Sequence, residues 1–178
     1  NFVDVNGDGT VNANDFTYIG SAIPDITYGA TLNMEYKGFD FTMFIQGQAG
    51  NDILMGIIRT DRPATNKLSL FYTDRWTPEN PNAAFPRYYA GANHNYQISD
   101  HWLQNAAYVR LKNLQLGYTI DPKLTKSWGI QRLRVYFSGD NLCEYSKLND
   151  NFDPELSNVD GYVYPIMRNF SFGLNVTF

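Results

Sequence analysis

Oxygen-bearing side chains recur at every second position in the stretch DVNGDGTVNAND, residues 4–15. Asp4, Asn6 and Asp8 match positions 1, 3 and 5 of a calcium-binding loop, Gly9 falls at position 6, where the chain turns sharply, and Asp15 takes position 12. Thr10 would offer its backbone carbonyl at position 7, and Asn12 would act directly or through water. Hard oxygen ligands at this spacing wrap a cation of calcium's size, so a structural Ca2+ is expected here. Asp15 is shorter than the usual Glu, which points to modest affinity. The metal-free alternative is an Asx-rich turn, in which the same side chains bond nearby backbone amides. A dockerin-like assembly module would carry two such loops, each leading into a helix. Here one loop gives way to Pro24 and a strand.

No catalytic constellation accompanies this loop. Ser99, Asp100 and His101 are neighbours along the chain, whereas a triad is a spatial arrangement. The two His residues have no metal spacing, and no Gly-rich phosphate loop opens a helix, so a non-enzyme is expected. Cys143 is the single cysteine, which excludes an intrachain disulfide and a cysteine-ligated zinc, and an inert buried or lumenal position is expected for it.

Hydrophobic residues make up 43% of the 178 and charged residues only 18%, with 13 Tyr and 12 Phe. An average soluble domain is about 25% charged, so this chain is rich in aromatics and poor in charge. A net charge of −4 without basic clusters gives no footprint for a nucleic-acid partner. No apolar run is long enough for a transmembrane helix. The chain begins at Asn1 rather than Met, and a fragment or processed product is the expectation.

Alternation with a period of two dominates, and that is the mark of strands with one apolar and one polar face. In about 25–36, Ile26, Tyr28, Ala30, Leu32, Met34 and Tyr36 oppose Thr27, Gly29, Thr31, Asn33 and Glu35. After Lys37-Gly38, about 39–49 sets Phe39, Phe41, Met43 and Ile45 against Asp40, Thr42, Gln46 and Gln48, with Phe44 misplaced on the polar side. A third strand is expected over about 107–120, with Leu114, Leu116, Tyr118 and Ile120 together. Val109 and Leu111 lie in the opposite phase, and Arg110 and Lys112 fall on the apolar side, which implies either a β-bulge or a departure from the apolar layer. The fourth and fifth strands, about 131–142 and 167–178, alternate cleanly, and the last runs NFSFGLNVTF to Phe178.

The connections are asymmetric. Lys37-Gly38 and 121–131 are short, while 51–105 and 144–166 are longer, and an up-and-down order places the short ones on one rim. Short turns on one side, long loops on the other and amphipathic strands of about 9–11 residues describe an outer-membrane β-barrel, its apolar phase facing lipid. Five strands cannot close such a barrel, so these belong to a larger one. The expected fold class is all-β: antiparallel transmembrane barrel strands with long extracellular loops. Residues 1–24 form an extracellular loop carrying the calcium motif, and 25–178 form the barrel portion. The alternative is a soluble calcium-dependent carbohydrate-binding or adhesion β-domain, which also alternates. In the long loop, Arg59, Arg62, Trp76, Tyr88, Tyr89 and Trp102 are candidate substrate contacts, aromatics stacking on sugar rings and arginines bonding hydroxyls, with Asp61 and Tyr96 beside them.

In order along the chain come DVNGDGTVNANDFTYIGSAIPDITYG, YKGFDFTMFIQGQAGNDI, DRWTPENPNAAFPR, YVRLKNLQLGYTI, VYFSGDNL and DPE, closing on Phe178. Together these resemble the C-terminal part of a SusC/RagA-like TonB-dependent transporter, over essentially the whole chain. The resemblance implies a barrel of about 22 strands with a plugged lumen, of which this chain supplies the last five. It further implies import of glycans or other nutrient oligomers across the bacterial outer membrane. The implied partners are a SusD-like surface lipoprotein, outer-membrane lipid, and the TonB complex, reached through a plug segment not in this chain. The terminal Phe178 would be the signal read by the outer-membrane assembly machinery.

Overall fold

The computed structural model describes residues 2–55, 69–87, 97–148, 152–155 and 166–178. Its main element is a five-stranded antiparallel sheet in the order β1-β2-β5-β6-β7. The strands are β1 (Ile26–Tyr36), β2 (Phe39–Ala49), β5 (Tyr108–Thr119), β6 (Arg132–Ser146) and β7 (Asn169–Thr177). All five expected strands are present, and β6 runs past its expected end at 142. Two three-residue strands, β3 (Asp52–Leu54) and β4 (Leu103–Asn105), form a small antiparallel pair. They continue the β2–β5 ladder beyond a break where Ala106 N donates to Asn51 O at 2.9 Å.

The β1–β2 turn takes its shape from two residues with positive φ, Lys37 at 47° and Gly38 at 88°. Such a turn matches the right-handed twist of the flanking strands. A Cβ at position 38 would also lie 2.8 Å from the Thr119 carbonyl, so glycine is needed twice over.

Register explains the phase problem in β5. Phe44 pairs with Asn113 and Ile45 with Leu111, so β5 carries one extra residue, Lys112, relative to β2. β6 in turn carries one more than β5, because Leu111 pairs with Cys143 and Asn113 with Asp140. Asn141, within that second bulge, has φ of 53°. Of the two readings open for β5, the β-bulge is therefore the observed one. It returns Val109 and Leu111 to the face of Gly47 and Ile45, and it moves Arg110 to the polar face beside Gln46. Cys143 pairs with Leu111 on the apolar face, where it keeps the odd parity of Val135 and Phe137, and it is exposed, not buried or lumenal as expected.

One face is thus apolar across all five strands. Leu32 pairs with Met43, Met43 with Leu114, Phe41 with Leu116, Leu116 with Phe137 and Phe137 with Phe172. Nothing in the described chain covers this face: Phe172 is 83% exposed and Phe178 77%. The buried apolar cluster lies elsewhere, at the long-connection end, where Ile53, Ala106 and Leu148 pack with Phe152. The edge strands β1 and β7 are exposed along almost their whole length.

Three glycines serve as seats for rings from the neighbouring strand. A Cβ on Gly47 would meet the Tyr28 ring at 2.4 Å, one on Gly173 the Tyr136 ring at 2.4 Å, and one on Gly29 the Phe44 ring at 3.3 Å. Phe44, out of place by its phase, is therefore housed over Gly29 on the polar face. Tyr28 crosses Gly47 to donate its hydroxyl to the Tyr108 carbonyl at 3.0 Å.

Candidate functional site

The chemically distinctive groups gather at the long-connection end and along the polar face. In the N-terminal loop, successive Asx turns organise the backbone. Asn6 Oδ1 accepts from Asp8 N at 2.9 Å, Asp8 Oδ1 from Thr10 N at 2.8 Å, and Asn12 Oδ1 from Asn14 N at 2.8 Å. Asp4 accepts from the amides of Gly7 and Gly9, both at 2.7 Å. Gly9 has φ of 84°, as a sharp turn at that position requires.

Asp15 closes the loop. It ends a short 3₁₀ turn, Ala13–Asp15, which Asn12 caps in a reciprocal capping box. Its carboxylate accepts from Asn12 N at 2.7 Å, Val5 N at 2.9 Å and Asn6 N at 3.3 Å. The Asn12 amide does most to hold this carboxyl below the usual carboxylate range, with burial opposing it and the Val5 and Asn6 amides adding to it. The fit to a cation is therefore mixed. The backbone has the shape of the loop, but Asp4, Asp8 and Asp15 all turn toward amides, and Asn12 Nδ2 already donates to the Thr10 carbonyl at 2.9 Å. Among the described residues no three His, Cys, Asp or Glu side chains form a group able to hold a metal. The loop segment is tied to the sheet where Asp52 N donates to Ser21 O at 2.7 Å.

A second cluster centres on Arg110, whose side chain is only 2% exposed. Its Nη2 bonds Asp153 Oδ1 at 2.8 Å and Glu144, and its Nη1 lies 3.0 Å from Glu155 Oε1 without the alignment of a hydrogen bond. Lys112 Nζ bonds both Glu155 oxygens, at 2.8 and 3.0 Å. Two cations on β5 thereby hold residues 152–155 against the polar face of the sheet. Sequence reasoning missed this cluster, although its signal was present: two cations out of phase in an alternating strand.

Farther along the polar face, Asp40 pairs with Arg134, bonding Nε at 2.9 Å, across Gly117, where a Cβ would lie 2.5 Å from both groups. Asn113 bonds Asp140 at 2.7 Å and Thr42 bonds Asn33 at 3.0 Å. These amides, hydroxyls and paired charges can exchange hydrogen bonds with a polar solute.

Of the proposed substrate contacts, Trp76 and Trp102 lie among the described residues. Arg59, Arg62, Tyr88 and Tyr89, with Asp61 and Tyr96, lie outside the described residues. Trp76 belongs to a self-bonded loop in which its N donates to Phe85 O at 2.8 Å, and its side chain is 38% exposed. Trp102 is buried at 5% exposure, its ring centre 4.6 Å from that of His101. Phe178 follows β7, whose end is held by Gln131 N donating to Thr177 O at 2.8 Å.

No family model matches the chain. It is 32% identical over 190 residues to TonB-dependent receptor P3 of Formosa agariphila, covering 99% of this chain and 19% of the receptor. It is 28% identical over 180 residues to TonB-dependent receptor SusC of Bacteroides thetaiotaomicron, covering 99% of this chain and 17% of SusC. The fold matches the solved RagAB peptide transporter with a TM-score of 0.70 at 24% identity, over 95% of this chain and 19% of that one. The chain therefore spans under a fifth of the length of the relatives it matches.

Two outcomes follow from the site geometry. Replacing Arg110 with Met leaves Asp153 and Glu144 without their buried cation, a change that costs about 3–5 kcal/mol. Limited proteolysis should then cut the 147–155 connection faster, and adding Asp153→Asn with Glu144→Gln should slow that cutting again. For Asp15 the folded pKa is depressed, so its contribution is complete above its unfolded value of about 3.9. That contribution disappears as pH falls through the folded value. Hydrogen-exchange protection of the Val5, Asn6 and Asn12 amides should be lost in that acid range, and Asp15→Asn should lower it already at neutral pH.

Proposed function

We propose that this chain, a barrel segment of a SusC/RagA-like TonB-dependent receptor, forms the last five strands of an outer-membrane transporter that imports glycans or other nutrient oligomers. The supporting observation is the apolar face that runs in register through five strands and has no partner in the described chain. Hydrocarbon is the neighbour that satisfies such a face. The eleven residues of β1 are about 37 Å long at ~3.4 Å each, and a tilt of about 45° brings that near the thickness of a bilayer core. The polar face then lines the lumen, where its amides, hydroxyls and paired charges meet a polar oligomer. A SusD-like lipoprotein would cap the long-connection end, TonB would act through a plug outside this chain, and the assembly machinery would read the strand ending at Phe178.

The same reading assigns Ca2+ to loop 4–15, through Asp4, Asn6, Asp8, the Thr10 carbonyl and Asn12, with Asp15 at the closing position. The ligand spacing and the positive φ of Gly9 support it. Calcium would have to draw the carboxylates away from the amides they now accept from.

Arg substitutions in the intact receptor test the membrane face. Leu32→Arg and Leu174→Arg place a cation in lipid, a cost of about 2–4 kcal/mol near the midplane, while Thr31→Arg and Ser171→Arg face the lumen. Outer-membrane yield of folded receptor should fall for the first pair and hold for the second; equal yields would overturn the assignment. Terbium luminescence should appear in the wild type, be displaced by calcium and fade in Asp4→Ala, and a wild type silent at millimolar terbium would leave the loop as an Asx turn.

A further inference from the structure

The β5–β6 connection is more elaborate than its task requires, since two residues make the β1–β2 turn at the same end of the sheet. Residues 122–128 form a helical turn, α1 (Pro122–Thr125), followed by a 3₁₀ turn over 126–128. Asp121 caps it by accepting from Lys123 N at 2.9 Å, and Gly129 ends it in the left-handed conformation. Thr125 is fully buried, and its carbonyl accepts from Ile130 N at 3.3 Å. The segment is held firmly, yet it keeps Leu124 65% exposed and Trp128 69% exposed. Lys123 and Lys126 stand exposed on the same turn.

The connection leaves the sheet at the end where the β1–β2 turn also lies. Tyr36, Phe39 and Tyr118 close the apolar band at the same end, with the Phe39 and Tyr118 rings 4.5 Å apart. Lys37 stands at the tip, its Nζ 5.1 Å from the Tyr36 ring centre. Neither Lys37, Lys123 nor Lys126 has an ion-pair partner among the described residues. The nearby carboxylates are otherwise engaged or turned away: Asp121 caps the helix, Asp40 holds Arg134, and Glu35 lies in the polar phase. In a chain of net charge −4, this end is a local exception.

We infer that the 120–131 connection and Lys37 form a docking surface for anionic phospholipid headgroups, resting on the barrel reading above. The lysine ammonium groups pair with headgroup phosphates, while Trp128 and Leu124 enter the boundary between headgroups and acyl chains. Trp at that depth and lysines drawn to an anionic surface are the two standard interfacial contributions. Charge complementarity favours an anionic over a zwitterionic lipid, and the connection's place at the end where the band closes on Tyr36, Phe39 and Tyr118 sets it at headgroup height.

The test is native mass spectrometry of the intact receptor in detergent, supplied with equal phosphatidylglycerol and phosphatidylcholine. The wild type should retain phosphatidylglycerol preferentially. The triple variant Lys37→Gln/Lys123→Gln/Lys126→Gln should lose that preference by roughly tenfold, the corresponding triple Arg variant should keep it, and Trp128→Ser should weaken retention of both lipids. An unchanged preference in the Gln variant, or none in the wild type, would overturn the inference. Brominated phosphatidylcholine quenching of Phe172→Trp separates the two readings. Quenching with an unchanged lipid preference removes only the docking surface, whereas absence of quenching removes the barrel face itself.

Discussion

Side chains on a strand change sides at every residue, so a sheet whose two faces meet different solvents depends on keeping that alternation in phase across every hydrogen-bonded pair. Here the constraint extends over five strands that differ in length, and it survives because of two bulges. Lys112 adds a residue to β5 against β2, and the stretch around Asn141 adds another to β6 against β5. Without the first, Val109 and Leu111 would fall on the polar side and Arg110 would point into the apolar one. The bulges are therefore what keeps Val109 and Leu111 of β5 in phase with Ile45, Gly47, Cys143 and Tyr145 on the apolar face at the long-connection end.

That arrangement inverts the usual distribution of a small β-protein. The sheet's apolar face is open, while the buried cluster of Ile53, Ala106 and Leu148 sits at one end with Arg110 nearby. A buried ion cluster is weak evidence for net stability, because desolvation offsets much of the attraction. Its effect here is geometric. Asp153 and Glu155 have one place to go, and that fixes where a connection distant in sequence meets the strands.

The strands were legible because period two is a strong local signal, and the long-short asymmetry of the connections was legible from their lengths alone. Arg110 stands out of phase because parity counted along β5 fails where that strand inserts Lys112, whereas the phase of Cys143 already matched that of Phe137 on the apolar face. The ion cluster was half legible: Arg110 and Lys112 stand out of phase in β5, but Asp153 lies 43 residues from Arg110 and nothing local marks it as the partner. β3 and β4 are three residues each, too short to show a period. The turn at 122–128 did carry its signals, with Asp121 as cap, Pro122 in the first turn and Gly129 after the last. They were hidden by treating a short connection as a simple one. In the N-terminal loop, spacing identified the oxygen donors but not which amides would claim them, since that depends on φ at Gly7 and Gly9 as much as on residue type.

The rings seated on glycines have a consequence for how such a sheet can change over evolutionary time. Tyr28 over Gly47, Tyr136 over Gly173 and Phe44 over Gly29 each form a pair in which one strand lends volume and its neighbour yields it. A side chain gained at the glycine has nowhere to go unless the ring shrinks, and a ring lost alone leaves bare backbone. Related sequences should therefore vary at these positions in step, each pair drifting as a unit while the polar side chains around it diverge freely.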